Sequence, residues 1–356
     1  MLLSQQRVTP KISDVWSKPI EDSSLDRYIP SGERSWVGSA REGLRQILLQ
    51  AKVTKVALPA YTCKVVLEAV KRAGCQPILY DAGVVPKVKD IQKIISEVQA
   101  VVVCYNFGFM PEMDTISELC QKNKVIVIED CAQALGAKYK GKLAGSFGDY
   151  ALFSFGLSKN IGFCGGLIVS KTHLNLPPLE KYPLKELLKI ISQVLIAPFF
   201  FHPRIYPWSS SQLHKELVKE PEALAYSCPT LAQRVIVHQF QRYDAIIAQR
   251  QRNALFCWKN IVRREELRVL LPSLDSEPSS LYLVLLSRNK TLLRQRLAEA
   301  GIEVGEMLTF CSLDENSPVA LQTEKELLTF ALYRPQKEIE QLVKTINSIN
   351  LEEHGN

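Results

Sequence analysis

The hydrophobic pattern changes period repeatedly between residues 38 and 171. GSAREGLRQILLQ places Leu44, Ile47 and Leu48 at helical spacing, VTKVALP (53–59) reads as a short strand, and KVVLEAVKRAG (64–74) reads as a helix with a glycine stop. PILYD (77–81) and AVVVCYNFG (100–108) are strands around a helix at 88–98. DTISELCQKN (114–123) is a helix opened by an Asp, KVIVIED (124–130) is another buried strand, and YALFSF (150–155) and GLIVS (166–170) follow as strands. Alternating strands and helices predict an α/β fold with a mainly parallel sheet covered on both faces. In such sheets ligands gather at the carboxyl ends of the strands. Glu129 and Asp130 lie at one such end, Tyr105 and Asn106 at another, and Lys159 follows a third.

The rhythm is weak at both ends of this region. Residues 1–35 are polar and give little periodic signal. Residues 172–226 are rich in Pro, aromatics and basic residues and read as an insertion, after which one long helical stretch is expected from about Thr230 to Ile261. A C-terminal unit follows, with a strand at 280–287 and helices at 290–301 and 336–349. The expected division is an N-terminal segment 1–35, a large domain 36–245 containing the insertion, and a small domain 246–356.

Composition narrows the function. Hydrophobic residues are 46% and charged residues 23% of 356, which excludes a mostly disordered or fibrous chain. The net charge of +7 is diffuse, with no basic block interleaved with aromatics, so no nucleic-acid partner is expected. Nine cysteines stand singly, without C-x-x-C, and read as buried thiols of a reducing cytoplasm. The five histidines show no ligand spacing, so no metal site is expected. The N-terminus is too short in its apolar part for a signal peptide, and no run reaches the length of a spanning helix.

Two residues carry the candidate chemistry. Asp130 ends an otherwise apolar strand, where a carboxylate needs a partner or serves as a cap for CAQALGA. Lys159 stands in FSFGLSKNIGFCGG, between a strand and a pair of glycines. Apolar surroundings favour a neutral amine, which is the nucleophile a Schiff base requires. A carboxylate that keeps a pyridine nitrogen protonated is the partner such a lysine needs.

VIEDCAQALGA, GSFGDYALFSFGLSK and the following GG resemble the pyridoxal-phosphate-dependent sugar aminotransferases of the DegT/StrS type. The resemblance covers roughly residues 30 to 350 and implies fold type I, with a smaller C-terminal α+β domain. It assigns Lys159 as the lysine that links covalently to pyridoxal 5′-phosphate and shuttles the proton, and Asp130 as the acid on the pyridinium nitrogen. Gln133 matches the polar residue beside the phenolic oxygen, and Ser154 a phosphate-contacting hydroxyl. Ala40, Arg41 and Glu42 match the turn whose backbone amides meet the phosphate, at a helix start where anions are favoured. Tyr61 and Cys63 fall near the ring-stacking position, and either could fill it. The loop NIGFC departs from the family's pattern: it is one residue shorter and lacks an acid.

What the resemblance implies is transfer of an amino group, from glutamate, to a keto-sugar attached to a nucleotide, in the making of surface polysaccharides, glycoconjugates or antibiotic sugars. It also implies a homodimer. LKELLKIISQVLIAPFFFHPRIYPW in the insertion suits burial at a subunit interface; a peripheral membrane contact through 180–210 is the less favoured alternative. Rival readings are a sugar dehydratase, against which Lys159 argues because a histidine commonly replaces it there, and a regulatory protein that keeps the fold. A doubly wound nucleotide-binding protein without pyridoxal phosphate would need a Gly-rich fingerprint after the first strand, and VALPAYTCK offers none.

Overall fold

The computed structural model describes residues 10–16, 22–200, 225–305 and 309–351. Its strands in chain order begin with β1 (Glu33–Val37), β2 (Lys55–Pro59), β3 (Tyr61–Cys63), β4 (Gln76–Tyr80) and β5 (Ala100–Cys104). Next come β6 (Ile126–Asp130), the short β7 (Lys138–Tyr139) and β8 (Lys142–Leu143), β9 (Tyr150–Ser154) and β10 (Gly166–Ser170). The C-terminal part supplies β11 (Leu267–Val269), β12 (Ser276–Glu277), β13 (Tyr282–Ser287), β14 (Phe310–Ser312) and β15 (Leu327–Ala331).

A seven-stranded sheet, in the order β1-β10-β9-β6-β5-β2-β4, forms the centre. The pairings among β4, β2, β5, β6 and β9 are parallel, and β10 runs antiparallel to both β9 and β1. Both faces are covered, which is why AVVVC has no polar alternation. Val101 and Val103 enter one apolar cluster with Met113, Ile116 and Cys120. Val102 and Cys104 enter another, with Leu44, Ile47, Val66 and Val70. Successive residues of one strand thus feed cores on opposite sides of the sheet. The helices Ala40–Ala51 and Lys64–Arg72 lie on the second side, and Met113–Lys122 and Thr230–Phe240 on the first.

A third cluster is built from residues 254–351, around the antiparallel sheet β11-β13-β15 and the helices Lys290–Glu299 and Gln336–Ser348. β14 leaves this region to pair with β3, setting Phe310 opposite Cys63 and Ser312 opposite Tyr61.

Local structure departs from the periodicity in three places. The helix expected over 88–98 is α-helical only over Val88–Gln92, followed by a 3-10 turn at Ile95–Glu97. The weakly patterned N-terminal stretch supplies the edge strand β1, because its partner β10 provides the apolar face that the segment lacks in sequence. The long helix expected from Thr230 is two helices, Thr230–Phe240 and Tyr243–Asn260. The break falls between Gln239, whose amide turns inward to Gly162, and Arg242, which pairs with Asp14 at 2.5 Å. In the insertion, a helix spans Leu184–Phe200 and leaves Leu184 68% and Leu188 55% exposed. The last part of the suggested contact segment 180–210, residues 201–210, lies outside the described residues. Among those described, no helix is long and apolar enough to cross a membrane.

Candidate active site

β6 ends in two carboxylates that the strand's alternation sends to opposite sides. Glu129 is fully buried and is met by four donors: the Tyr105 hydroxyl at 2.5 Å and the backbone N–H groups of Gly145, Phe147 and Gly148 at 2.7, 2.7 and 2.5 Å. It ties the GSFG turn to the sheet. Asp130 is only partly buried and accepts one hydrogen bond, from the Ala132 N–H at 3.0 Å. It therefore caps the turn that follows it, though CAQALGA forms no helix. Burial pushes the Asp130 carboxyl above the ordinary range, while the Ala132 N–H and the charge of Lys159 pull it back.

Lys159 stands five residues beyond the end of β9, the strand beside β6. Its N–H donates to Gly156 O at 2.9 Å, closing a tight turn, and its side chain is half-buried. A side chain added at Gly156 would find Lys159 Cγ at 3.8 Å as its nearest atom, so the lysine stem passes over uncrowded space.

Ser154 ends β9 and pairs with Gly166, which in turn pairs with Val37 at the end of β1. The helix Ala40–Ala51 begins just beyond. Its cap is Ser39, whose hydroxyl accepts the Glu42 N–H at 3.1 Å. A Cβ at Gly166 would lie 2.5 Å from Ala40 N, so only glycine lets the helix start rest on the strand beside Ser154. The N–H groups of Ala40 and Arg41 head this helix, where no intrahelical carbonyl meets them. The Glu42 side chain turns away and grips Arg45 with both oxygens, at 2.8 and 2.9 Å. Arg41 approaches Glu68 at 4.0 Å.

Gln133 is buried. Its Oε1 accepts the N–H of Phe107 at 2.7 Å and steadies that residue at φ 59. Tyr61 and Cys63 occupy one side of β3, both buried. The Tyr61 ring packs 6.3 Å from Phe310, and burial pushes its hydroxyl far above the usual tyrosine range. Cys63 lies beside Cys104, whose thiol is raised by burial and by Asp130.

The structure thus brings Asp130, Lys159, Ser154 and the start of helix 40–51 to one rim of the sheet. The sequence does not single out Ser39, and it places Asn106 at a strand end without giving it a role. Ser39 had a visible signal, the S-x-x-E spacing of Ser39 and Glu42. Asn106 donates to Tyr61 O at 3.0 Å and holds β3 against the end of β5, a contact across 45 residues that no local pattern encodes.

Residues 24–174 match the family model described as the DegT/DnrJ/EryC1/StrS aminotransferase family. The match takes in less than half of the chain. The chain is 38% identical over 121 residues to GDP-perosamine synthase of Escherichia coli O157:H7. It is 36% identical over 122 residues to UDP-N-acetyl-3-dehydro-alpha-D-glucosamine 3-aminotransferase of Acidithiobacillus ferrooxidans. Each match covers 33% of this chain and 33% of the relative. The solved structure of a putative sugar aminotransferase, Spr1654 from Streptococcus pneumoniae, in its PLP form superimposes with a TM-score of 0.73 at 18% identity. That superposition covers 98% of this chain and 97% of the other, so the likeness of fold extends well beyond residues 24–174.

The residues at this rim fit pyridoxal phosphate. Asp130 is a carboxylate with one protein hydrogen bond and a pKa raised by burial, which is the condition of an acid awaiting a cationic partner. The Gly166 cradle presents a helix start to an anion beside the Ser154 hydroxyl. Lys159 follows Ser154 by five residues, and its charge favours the ionised form of Asp130.

Proposed function

We propose that the chain is a pyridoxal-phosphate-dependent aminotransferase that moves an amino group from an amino-acid donor, glutamate, onto a nucleotide-linked keto-sugar. The observation that carries the reading is a partly exposed, singly bonded Asp130 at the end of β6, with Lys159 five residues beyond the end of the adjacent β9, in a region matching this family.

When bound, the cofactor supplies an electron sink for the charge left by loss of the donor's alpha proton. Asp130 holds the ring nitrogen in its protonated form. Lys159 Nζ would hold the cofactor and, once free of it, would take the donor's alpha proton and return it at the carbon that receives the amino group. Ser154 Oγ and the N–H groups of Ala40, Arg41 and Glu42 hold the phosphate, with the Glu42 N–H shared with Ser39. Gln133 holds the phenolic edge. Cys63 takes the ring-facing position in preference to Tyr61, because the Tyr61 ring is already packed on Phe310. Fixing these groups before the reaction removes orientation cost from the barrier.

The substrate class rests on the relatives: one is named for a GDP-linked product and another for a UDP-linked substrate. The same reading makes the protein a cytoplasmic homodimer of large (36–245) and small (246–356) domains, serving surface polysaccharide, glycoconjugate or antibiotic-sugar synthesis. The third apolar cluster, confined to 254–351, supports the division.

The test is the visible spectrum of the full chain supplied with pyridoxal phosphate. The reading expects a yellow species that glutamate bleaches and a nucleotide-linked keto-sugar restores. A colourless protein, with Lys159→Ala indistinguishable from the parent, would defeat it.

A further inference from the structure

The loop after Lys159, NIGFC, carries no charged residue of its own, yet distant side chains hold its backbone. Gln239, fully buried 77 positions away, pairs with the Gly162 peptide at both ends: its Nε2 donates to the carbonyl at 2.8 Å and its Oε1 accepts the N–H at 3.3 Å. Arg250, 1% exposed, donates from Nη1 to Asn160 O at 3.2 Å. On the other side of the lysine, the Tyr282 hydroxyl donates to Ser158 O at 3.4 Å. The carbonyls of the two residues flanking Lys159, Ser158 and Asn160, are therefore both held from the region 239–282.

Arg250 is an unusual strut. No described carboxylate pairs with it, and burial lowers its pKa from the ordinary arginine value, with Tyr243, Tyr282 and Tyr333 opposing more weakly. Its guanidinium carbon lies 5.7 Å from the Tyr333 ring centre. Its neighbours on the same helix, Gln249 and Asn253, donate to Arg334 O at 2.8 Å each, and Asn253 also reaches Leu332 O at 2.7 Å. Burying a cation without an anion is costly. Stability alone favours an apolar side chain there.

We propose that Arg250 is a positioning residue for Lys159: it fixes the lysine's backbone through the Asn160 carbonyl and couples it to the 332–334 segment, while Gln239 fixes the loop behind. This rests on the reading of Lys159 as the reactive amine. It also accounts for a loop that lacks an acid of its own, since the fixing groups come from the helices after the insertion.

The test uses the full chain loaded with pyridoxal phosphate and compares Arg250→Met, Arg250→Lys and Gln239→Leu with the parent. The readouts are borohydride labelling of Lys159, the pH titration of the visible band, kcat and KM for the donor, and the thermal midpoint. Arg250→Met is expected to retain labelling, shift the pH titration and lose about 10²-fold in kcat, the scale of a misplacement near 1 Å. Its donor KM should stay within about threefold, because Arg250 touches no substrate. Arg250→Lys, which keeps a donor, should recover to within roughly tenfold of the parent. If Arg250→Met does not fold, Gln239→Leu should show the same kcat loss and shifted titration. A fall in thermal midpoint with kcat and titration unchanged overturns the proposal, as does a raised KM with kcat unchanged. A parent that is not labelled at Lys159 overturns the underlying reading and this inference with it, whereas normal kinetics in all three variants overturn the inference alone.

Discussion

Glu129 and Asp130 are neighbours in sequence and share one strand, yet their surroundings differ completely. Glu129, on one side of the sheet, is saturated by four protein donors. Asp130, on the other side, has one donor and a partly open face. Burial pushes both carboxyls above the ordinary range. Four donors answer that penalty for Glu129, while Asp130 has the Ala132 N–H and the nearby charge of Lys159. A saturated buried acid is an architectural part, and an under-coordinated one beside a lysine is ready for a ligand.

The contrast breaks most visibly in activity. Asp130→Asn should lower transamination by roughly 10²–10³-fold, the scale of losing one preorganised electrostatic partner. Glu129→Gln, assayed per folded molecule, should stay close to the parent. Equal losses in both variants would erase the distinction.

Stability should respond in the opposite sense. Glu129→Gln replaces one accepting oxygen with a donating NH2, so at least one of the three backbone N–H groups loses its acceptor, and should cost about 3 kcal/mol in urea unfolding. A cost below about 1 kcal/mol would show that the four contacts are weaker than their geometry implies. Gly166→Ala tests the cradle that separates the ligand side from the rest of the sheet. Its new methyl collides with Ala40 N, and a destabilisation of about 2 kcal/mol with weakened cofactor binding is expected.

The smallest effect is a pH dependence in the cofactor-free protein. The folded pKa of Asp130 is raised, so its contribution to stability is present below the ordinary carboxylate range and is lost as pH rises through the folded value. Asp130→Asn removes that loss. Thermal midpoints should therefore be higher for the variant at pH 7 and converge with the parent in acid. A variant less stable than the parent at pH 7 would show that the protein already satisfies the carboxylate.

The sheet was legible because its strands are apolar up to the residue that turns functional. KVIVIED and YALFSF announce both burial and the point where it ends. Ordered motifs supplied Lys159 and Asp130. The support around them was not legible, because it consists of single side chains reaching distant backbone. Gln239 reads as one polar position in the apolar helix TLAQRVIVHQF, and Arg250 as one of several basic residues in AIIAQRQRNA. Nothing local says that one grips Gly162 and the other Asn160. The division of labour between Glu129 and Asp130 was equally hidden: the strand period separates their sides, but the four donors to Glu129 come from a turn 16 to 19 residues onward and from Tyr105, 24 residues before.

The most direct measurement is borohydride reduction of the full chain with pyridoxal phosphate, followed by peptide mapping. The account predicts a single reduced adduct on Lys159, absent in Lys159→Ala and still formed in Glu129→Gln. An adduct on another lysine, or none in the parent, would contradict it.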